Sequence, residues 1–363
     1  VTGIMQSSAN NQKLYFVDGV HYRYFVPITN TVETWTATSG TLPVDASLNT
    51  ARLITTWRGR TVLSGLIDDP QNWFMSAVSD PLDFDYSPAS QTATQAVAGN
   101  NSRLGFIGDV VTGLMAYNDD ELLFGGNTSI WAMRGDPMSG GEMNLVTSSI
   151  GVAFGQAFTQ DPSGNIYFMS NTGAIYVMQP RGKPERLSTP IDKLLQDINT
   201  GTHAVRLEWN ERGKGLHVFV TPLASAQLDT THYFWEKSNS WVKDRFLNKN
   251  HNPLASCTID GNTVDDRVVL IGSWDGFIRA FSPDAERDDG YDIESEVWIG
   301  PILTKDFDEV QLFSIQAVTG ESSGTIRYEI HYGRTAEAAL SSPAIVRGTG
   351  TLSASRNLSK LTK

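Results

Sequence analysis

The feature that most constrains this chain is a two-stranded phrase that occurs six times. "NIYFMSNTGAIYVM", residues 165–178, reads as strand, tight turn, strand. "KLYFVDGVHYRYF" from Lys13, "ELLFGGNTSIWAM" from Glu121 and "RVVLIGSWDGFIRAF" from Arg267 say the same with other letters, and looser versions start at Arg60 and Gly215. In each, alternating β-branched or aromatic residues flank Gly, Asn or Asp. Those turn residues tolerate the positive φ that a tight hairpin requires. The expected turns are Asp18-Gly19, Asn127, "NTG" at 171–173 and Asp275-Gly276.

One apolar landmark per hairpin gives Leu14, Thr61, Leu122, Ile166, Leu216 and Val268, at intervals of 47, 61, 44, 50 and 52 residues. A period near fifty built of hairpins points to blades of a β-propeller rather than to a helical solenoid. Between the hairpins lie "ARLITTW", "GLMAY", "GVAFGQAFTQ", "AVRLEWN" and "LASCTID", each suited to an inner strand of its blade. The fold class expected is therefore all-β. About six blades occupy 1–296, and a small β-sandwich-like region, possible as a truncated domain, occupies 297–363.

Two further elements stand out. "LSTPIDKLLQDINTG" predicts a helix capped by Ser188 or Thr189, with Pro190 in its first turn and Gly201 as its stop. Ile191, Leu194, Leu195 and Ile198 would form its buried stripe, covering a blade edge or one end of the disc. In the C-terminal region, Ile326, Tyr328, Ile330 and Tyr332 alternate with polar residues, so one strand face is expected buried and the other wet. "TAEAAL" would start a short helix, and 341–363 an edge strand with a loose tail.

Composition limits the function classes. The chain has 363 residues, 40% hydrophobic and 19% charged, which is a globular balance. It has no apolar run of 18 residues and no signal-peptide pattern, so no membrane-spanning segment is expected. The net charge of −12 argues against gripping nucleic acid through phosphates, which takes clustered Lys and Arg. The single cysteine, Cys257, permits no internal disulfide, and its apolar flank "ASCTI" predicts a buried, inert thiol.

The chemical motifs are few. His21, His203, His217, His232, His251 and His331 are scattered without metal-ligand spacing, and His21 and His217 read as structural histidines within strands. "GESSG" at 320–324 matches G-x-S-x-G in form but joins two strands, so Ser322 reads as a turn residue. Asp284, Asp288, Asp289, Asp292 and Glu294 crowd one loop without EF-hand spacing and read as a solvated acidic segment rather than a calcium site. "IDDP" and "NDDE" read as turns. No Asp-box and no placeable carboxylate pair marks a glycosidase. Trp57, Trp131, Trp209 and Trp274 are expected in strands, filling interfaces between blades. Catalytic, cofactor-binding and metal residues are thus expected to be none.

From Leu104 the order of elements becomes distinctive: "ELLFGGNTSIWAM", a Gly-rich loop, "SSIGVAFGQAF", the "NTG" hairpin, "ERLSTPI" and then the capped helix. "RLEWNERGKGLHVFV" and "YFWEKSNSWVKDRF" follow, and "WFMSAVSDPLDF" lies upstream. This order resembles the tail-hub proteins of short-tailed phages, the packaged-DNA stabilisation proteins, and the related tail-nozzle proteins. The resemblance covers roughly 50–285.

What it implies is mechanical: a propeller that assembles into a ring, usually of six copies, below portal and adaptor, and extends or closes the DNA channel. The implied partners are other copies of the chain, portal, adaptor and other tail proteins, and passing DNA without specific binding. The implied location is the virion. An acidic lumen would keep DNA contact weak, so carboxylate-to-lysine changes there should slow ejection. The insertions at 138–143 and 179–186 are the expected contact loops. Rival readings are a propeller that hydrolyses surface polysaccharide and one that binds host glycans without cleaving them.

Overall fold

The computed structural model describes residues 4–87, 92–228, 230–236, 240–259, 261–263, 266–282, 285, 287–293, 295–297, 299, 314–316, 325–333, 335, 338, 345–352 and 358–360. The chain divides into two units, Val1–Ile293 and Glu294–Lys363.

The first unit is a six-bladed β-propeller. Five blades are four-stranded antiparallel sheets. The first is Gln6–Asn10, Lys13–Val17, Tyr22–Val26 and Thr31–Thr34; the second is Leu53–Trp57, Arg60–Ser64, Trp73–Met75 and Val97–Ala98. The third is Val111–Asn118, Glu121–Gly126, Ile130–Arg134 and Glu142–Thr147; the fourth is Phe158–Gln160, Ile166–Met169, Ile175–Met178 and Glu185–Arg186. The fifth is His203–Asn210, Gly215–Pro222, Thr231–Glu236 and Ser240–Asp244. The sixth has three described strands: Pro253–Ile259, Val268–Ser273 and Ile278–Ala280.

All six landmarks fall in the second strand of a blade, and the intervening runs supply first strands in blades two to six. The periodicity is legible because the same hairpin closes each blade. In blades one, two, four and six a glycine at positive φ sits in that turn: Gly19 at 86°, Gly65 at 78°, Gly173 at 83° and Gly276 at 80°.

First strands of successive blades lie against one another from blade one to three and from four to six. The apolar core sits between blades, not within them. Tyr15, Trp35, Ile54 and Leu63 join blades one and two; Trp57, Val62, Leu122 and Phe124 join two and three. Met115, Ile130, Ile166 and Phe168 join three and four; Tyr167, Ile175, Trp209 and Leu216 join four and five.

Several local expectations are corrected. The helix shrinks to a 3₁₀ turn, Thr189–Ile191, and one α-turn, Asp192–Leu195. Ser188 does not cap it by its side chain; its hydroxyl accepts from the Ile175 amide and donates to Asp192, tying the turn to blade four. Only Ile191 and Leu195 of the expected stripe are fully buried, in the cluster between blades four and five, while Leu194 is exposed. Gly201 lies well past the helix end.

Cys257 is exposed rather than buried. In Pro253–Ile259 alternate residues turn toward blade five, where Thr258 reaches Glu208, and this leaves Ala255, Cys257 and Ile259 on the open face. His21 and Trp274 sit in turns, not strands.

The second unit contains two antiparallel pairs, Ile326–Tyr332 with Ile345–Leu352 and Ser314–Gln316 with Leu358–Lys360. Its alternating face is only partly covered: Tyr328 and Ile330 are half-buried, while Ile326 and Tyr332 are exposed. "GESSG", with Ser322, lies outside the described residues, as does most of "TAEAAL". Among the described residues no helix is long and apolar enough to cross a membrane.

Candidate functional site

A cleft opens between blades three and four, with a volume of ≈ 340 Å³. Its floor begins with a cross-strand pair. The hairpin register sets Glu121 opposite Arg134, and Glu121 Oε1 accepts from Arg134 Nε at 3.3 Å and Nη2 at 3.1 Å. The Glu121 side chain is only 4% exposed. Its second oxygen, Oε2, is buried with no hydrogen-bond partner among the described residues. A buried acceptor left open is costly, on the order of 1–3 kcal/mol, so such an atom marks a place where a donor fits.

Around this floor stand an aliphatic wall of Leu123, Val146 and Met178, the Tyr117 side chain, and the Asn144 amide. The Tyr117 phenol is pushed above its ordinary value by burial first, then by Glu121 and Asp161, so it stays protonated and can donate. Blade four supplies the rim. Its chain turns after Met178 and presents Arg181, in the left-handed region at φ 57°, followed by Gly182 and Lys183. Arg181 lies 3.6 Å from Asp120, but both are largely exposed, so the pair holds weakly. Arg134, Arg181 and Lys183 set three cations against the one carboxylate of the lining, in a chain of net charge −12.

The propeller centre is a second polar cluster. Arg206, from the first strand of blade five, lies with Gln6 from blade one around Gly155, and Glu208 follows two residues on in the same strand. Gly155 has φ +95°, and a Cβ there would lie 3.0 Å from Gln6 Nε2 and 3.8 Å from Arg206 Nη1. Burial pulls Arg206 down to about 10 and pushes Glu208 up; each partly offsets the other's desolvation. Glu208 is held by Thr258 Oγ1 at 2.6 Å. Gln6, Thr112 and Arg206 are all buried, so this level of the axis is packed.

The expected contact loops divide. Of residues 179–186, Arg181, Gly182 and Lys183 line the cleft, and Glu185–Arg186 is an edge strand rather than loop. In residues 138–143 Met138 and Met143 pack on the cluster between blades two and three and Asp136 accepts from the Met138 amide at 2.8 Å, while Ser139, Gly140 and Glu142 are exposed.

The acidic segment is a small hairpin, Arg287–Asp288 with Tyr291–Asp292, and its acids are paired rather than simply solvated. Asp289 and Asp275 both engage Arg279, Arg287 engages Asp292, and His251 lies 4.0 Å from Asp288. Asp275 is pulled to about 2, chiefly by its Arg279 hydrogen bonds. Asp284 and Glu294 lie outside the described residues. Among the described residues no three His, Cys, Asp or Glu groups are placed to hold a metal.

His217 and His232, fifteen residues apart, face each other with Nδ1 and Nε2 at 3.2 Å, and His217 Nε2 lies 3.1 Å from Asn210. Trp57, Trp131 and Trp209 reach blade interfaces, and Trp274 is half-buried in a turn of blade six. Sequence reading passed over Glu121 and Arg134, yet the hairpin centred on Asn127 and Thr128 sets them face to face. It also passed over a repeated loop. Asp45 and Asp161 each accept from the amides two and four residues on and from an Asn side chain, in D-x-S-x-N sequences at 45–49 and 161–165.

No family model matches the chain, and no curated protein matches it. Among solved structures, YCF48 bound to D1 peptide is similar with TM-score 0.43 and 13% identity, over 77% of this chain and 76% of that one. The N-terminal domain of Nup159 gives 0.45 and 9%, over 77% and 74%. The extracellular domain of the hybrid two-component system BT3049 from B. thetaiotaomicron gives 0.49 and 9%, over 96% of this chain and 39% of that one. None of these similarities bears on function.

Proposed function

We propose that this chain is a non-enzymatic structural protein of a bacteriophage tail, a hub or nozzle component that assembles as a ring of copies, six in number, around the DNA channel of the virion. What supports the reading is the stretch at 50–285, whose phrases resemble those of tail-hub and nozzle proteins. That stretch spans blades two to six, so the shared order of phrases is an order of blades. Burial of Gln6, Thr112 and Arg206 at the centre fits a reading in which DNA passes through the lumen of a ring of copies rather than along the propeller's own axis. A ring of identical subunits uses one heterologous interface that closes by rotation.

Electron microscopy of the purified chain and of labelled virions tests this. Rings and a tail location are expected. A chain that stays monomeric at all concentrations, or that is absent from virions, overturns the reading. A second reading, a propeller that binds host glycans, is favoured by the cleft between blades three and four. Hydrolysis is disfavoured there, because Glu121 is already engaged by Arg134.

A further inference from the structure

We propose that the cleft between blades three and four is a binding site for a carboxylated sugar, a uronic-acid-type residue of a larger saccharide. The argument rests on what the cleft lacks as well as on what it offers. Its floor holds a buried acceptor with no donor, Glu121 Oε2, and Tyr117 lines the same cleft, as does Asn144, whose amide also donates to Glu142. Its wall is aliphatic. Its rim is cationic, and Lys183 has no carboxylate within ion-pair distance among the described residues.

A ligand that satisfies all three zones must donate hydrogen bonds at one end and carry negative charge at the other. Its acid must stay away from Glu121, since like charges in a half-buried site repel strongly. A pyranose with a carboxylate meets these demands in one rigid ring. Its hydroxyls donate to Glu121 Oε2 and accept from Tyr117, its C–H face rests on Leu123, Val146 and Met178, and its carboxylate meets Lys183 and Arg181 at the rim. A volume of ≈ 340 Å³ suits one or two sugar units, near the low end of small-molecule sites. A neutral sugar leaves the cations unused, and a simple acid leaves Glu121 Oε2 unpaired.

Occupancy by an acidic peptide is the competing outcome. Its carboxylate satisfies the rim equally, but a flexible side chain offers the floor no fixed array of donors and loses more entropy on binding.

The site does not depend on ring assembly: binding is read in solution and rings by microscopy, so either claim can fail alone. The experiment is titration of the full chain with glucuronic acid, glucose and a short acetylated Glu-containing peptide, followed by calorimetry and ligand-observed NMR. Glucuronic acid should bind with a millimolar dissociation constant, glucose at least about ten-fold more weakly, and the affinity should fall with added salt. Lys183→Glu, on an exposed turn, should weaken glucuronic acid about ten-fold without altering the fold, and Arg181→Ala less. Glu121→Gln, which changes the floor's acceptor, should weaken both sugars. Absence of glucuronic acid binding up to ~10 mM overturns the proposal. Binding indifferent to Lys183→Glu and Arg181→Ala also overturns it, as does a peptide that binds better than the sugar acid and displaces it.

Discussion

The interface between blades four and five and the interface between blades five and six are adjacent in the propeller but built from opposite materials. The first is an apolar seam. Tyr167 stacks on Trp209 with centroids 5.3 Å apart at 19°, Trp235 lies 5.9 Å from Tyr167, and Ile191 and Leu195 close the end. The second is aromatic and imidazole. His217 and His232 touch at 3.2 Å inside a ring of Phe219, Phe234, Phe246 and Phe281, and Thr258 and Thr221 bond across to Glu208 and to the Pro253 carbonyl. Apolar burial is indifferent to pH. A seam whose centre is a buried base pair is not, and the two interfaces should therefore fail under different conditions.

The largest effect belongs to the apolar seam. Trp209→Ala removes a 94%-buried indole and leaves Tyr167 facing a void. It should cost about 3–5 kcal/mol, seen as a lower urea midpoint by circular dichroism at pH 7.5. A loss below ~1 kcal/mol would mean the seam repacks and is not the stronger interface.

Acid should strike the other seam. Burial, and for His217 also its partner His232, lowers both histidines to about 3 from an ordinary 6.5; Asp244, 3.7 Å from His232, pulls His217 the other way without winning. The native state therefore holds both rings neutral, while the unfolded chain takes up protons below 6.5. Stability contributed by neutral His217 and His232 is complete above that value and is lost as pH falls from 6.5 toward about 3. The decline should be on the order of 4 kcal/mol by pH 5, about 2 from each ring, measured as urea midpoints against pH. His232→Phe should flatten that slope. An unchanged slope would place the acid sensitivity elsewhere.

A smaller loss is expected at the loop lock of blade four. Asp161→Ala strips acceptors from the Ser163 and Asn165 amides and from the Asn165 and Tyr167 side chains, in a nearly buried site. It should cost about 1–3 kcal/mol, with Asp161→Asn recovering part, by the same denaturation assay.

These contrasts also show which features the residues announce. The hairpin period is written in local chemistry: positive-φ residues between alternating strands. Leu14, Thr61, Leu122, Ile166, Leu216 and Val268 therefore fall at equal structural places. Glu121 facing Arg134 was readable by the same means, since the turn fixes the register. The His217–His232 contact was not: Phe219, not His217, is the cross-strand partner of His232, so the imidazoles meet diagonally. The helix was overread because a stripe of Ile191, Leu194, Leu195 and Ile198 fits a helix and a wedge equally. Blade packing took two of the four side chains, and Ser188 went to the sheet instead of the cap. Cys257 was misplaced because alternation tells that one face is covered but not which.

The smallest effect tests that last point on the sixth blade. Phe277, in the turn before its third strand, and Ile278, which starts that strand, are 67% and 75% exposed, and Ile259 on its first strand is also open. Large apolar side chains left in water contribute little to folding, so Phe277→Ser should move stability by less than ~0.5 kcal/mol. The contrast with Trp209→Ala would then be nearly tenfold in energy for the loss of one aromatic from neighbouring regions of one propeller. The assay is the urea midpoint at pH 7.5, read beside sedimentation velocity. If Phe277→Ser costs ~2 kcal/mol or more with no change in sedimentation, the ring is packed within the isolated chain, and the sixth blade is held by apolar contacts after all. If stability holds while a larger species disappears, the open edge of blade six is where copies of the chain meet.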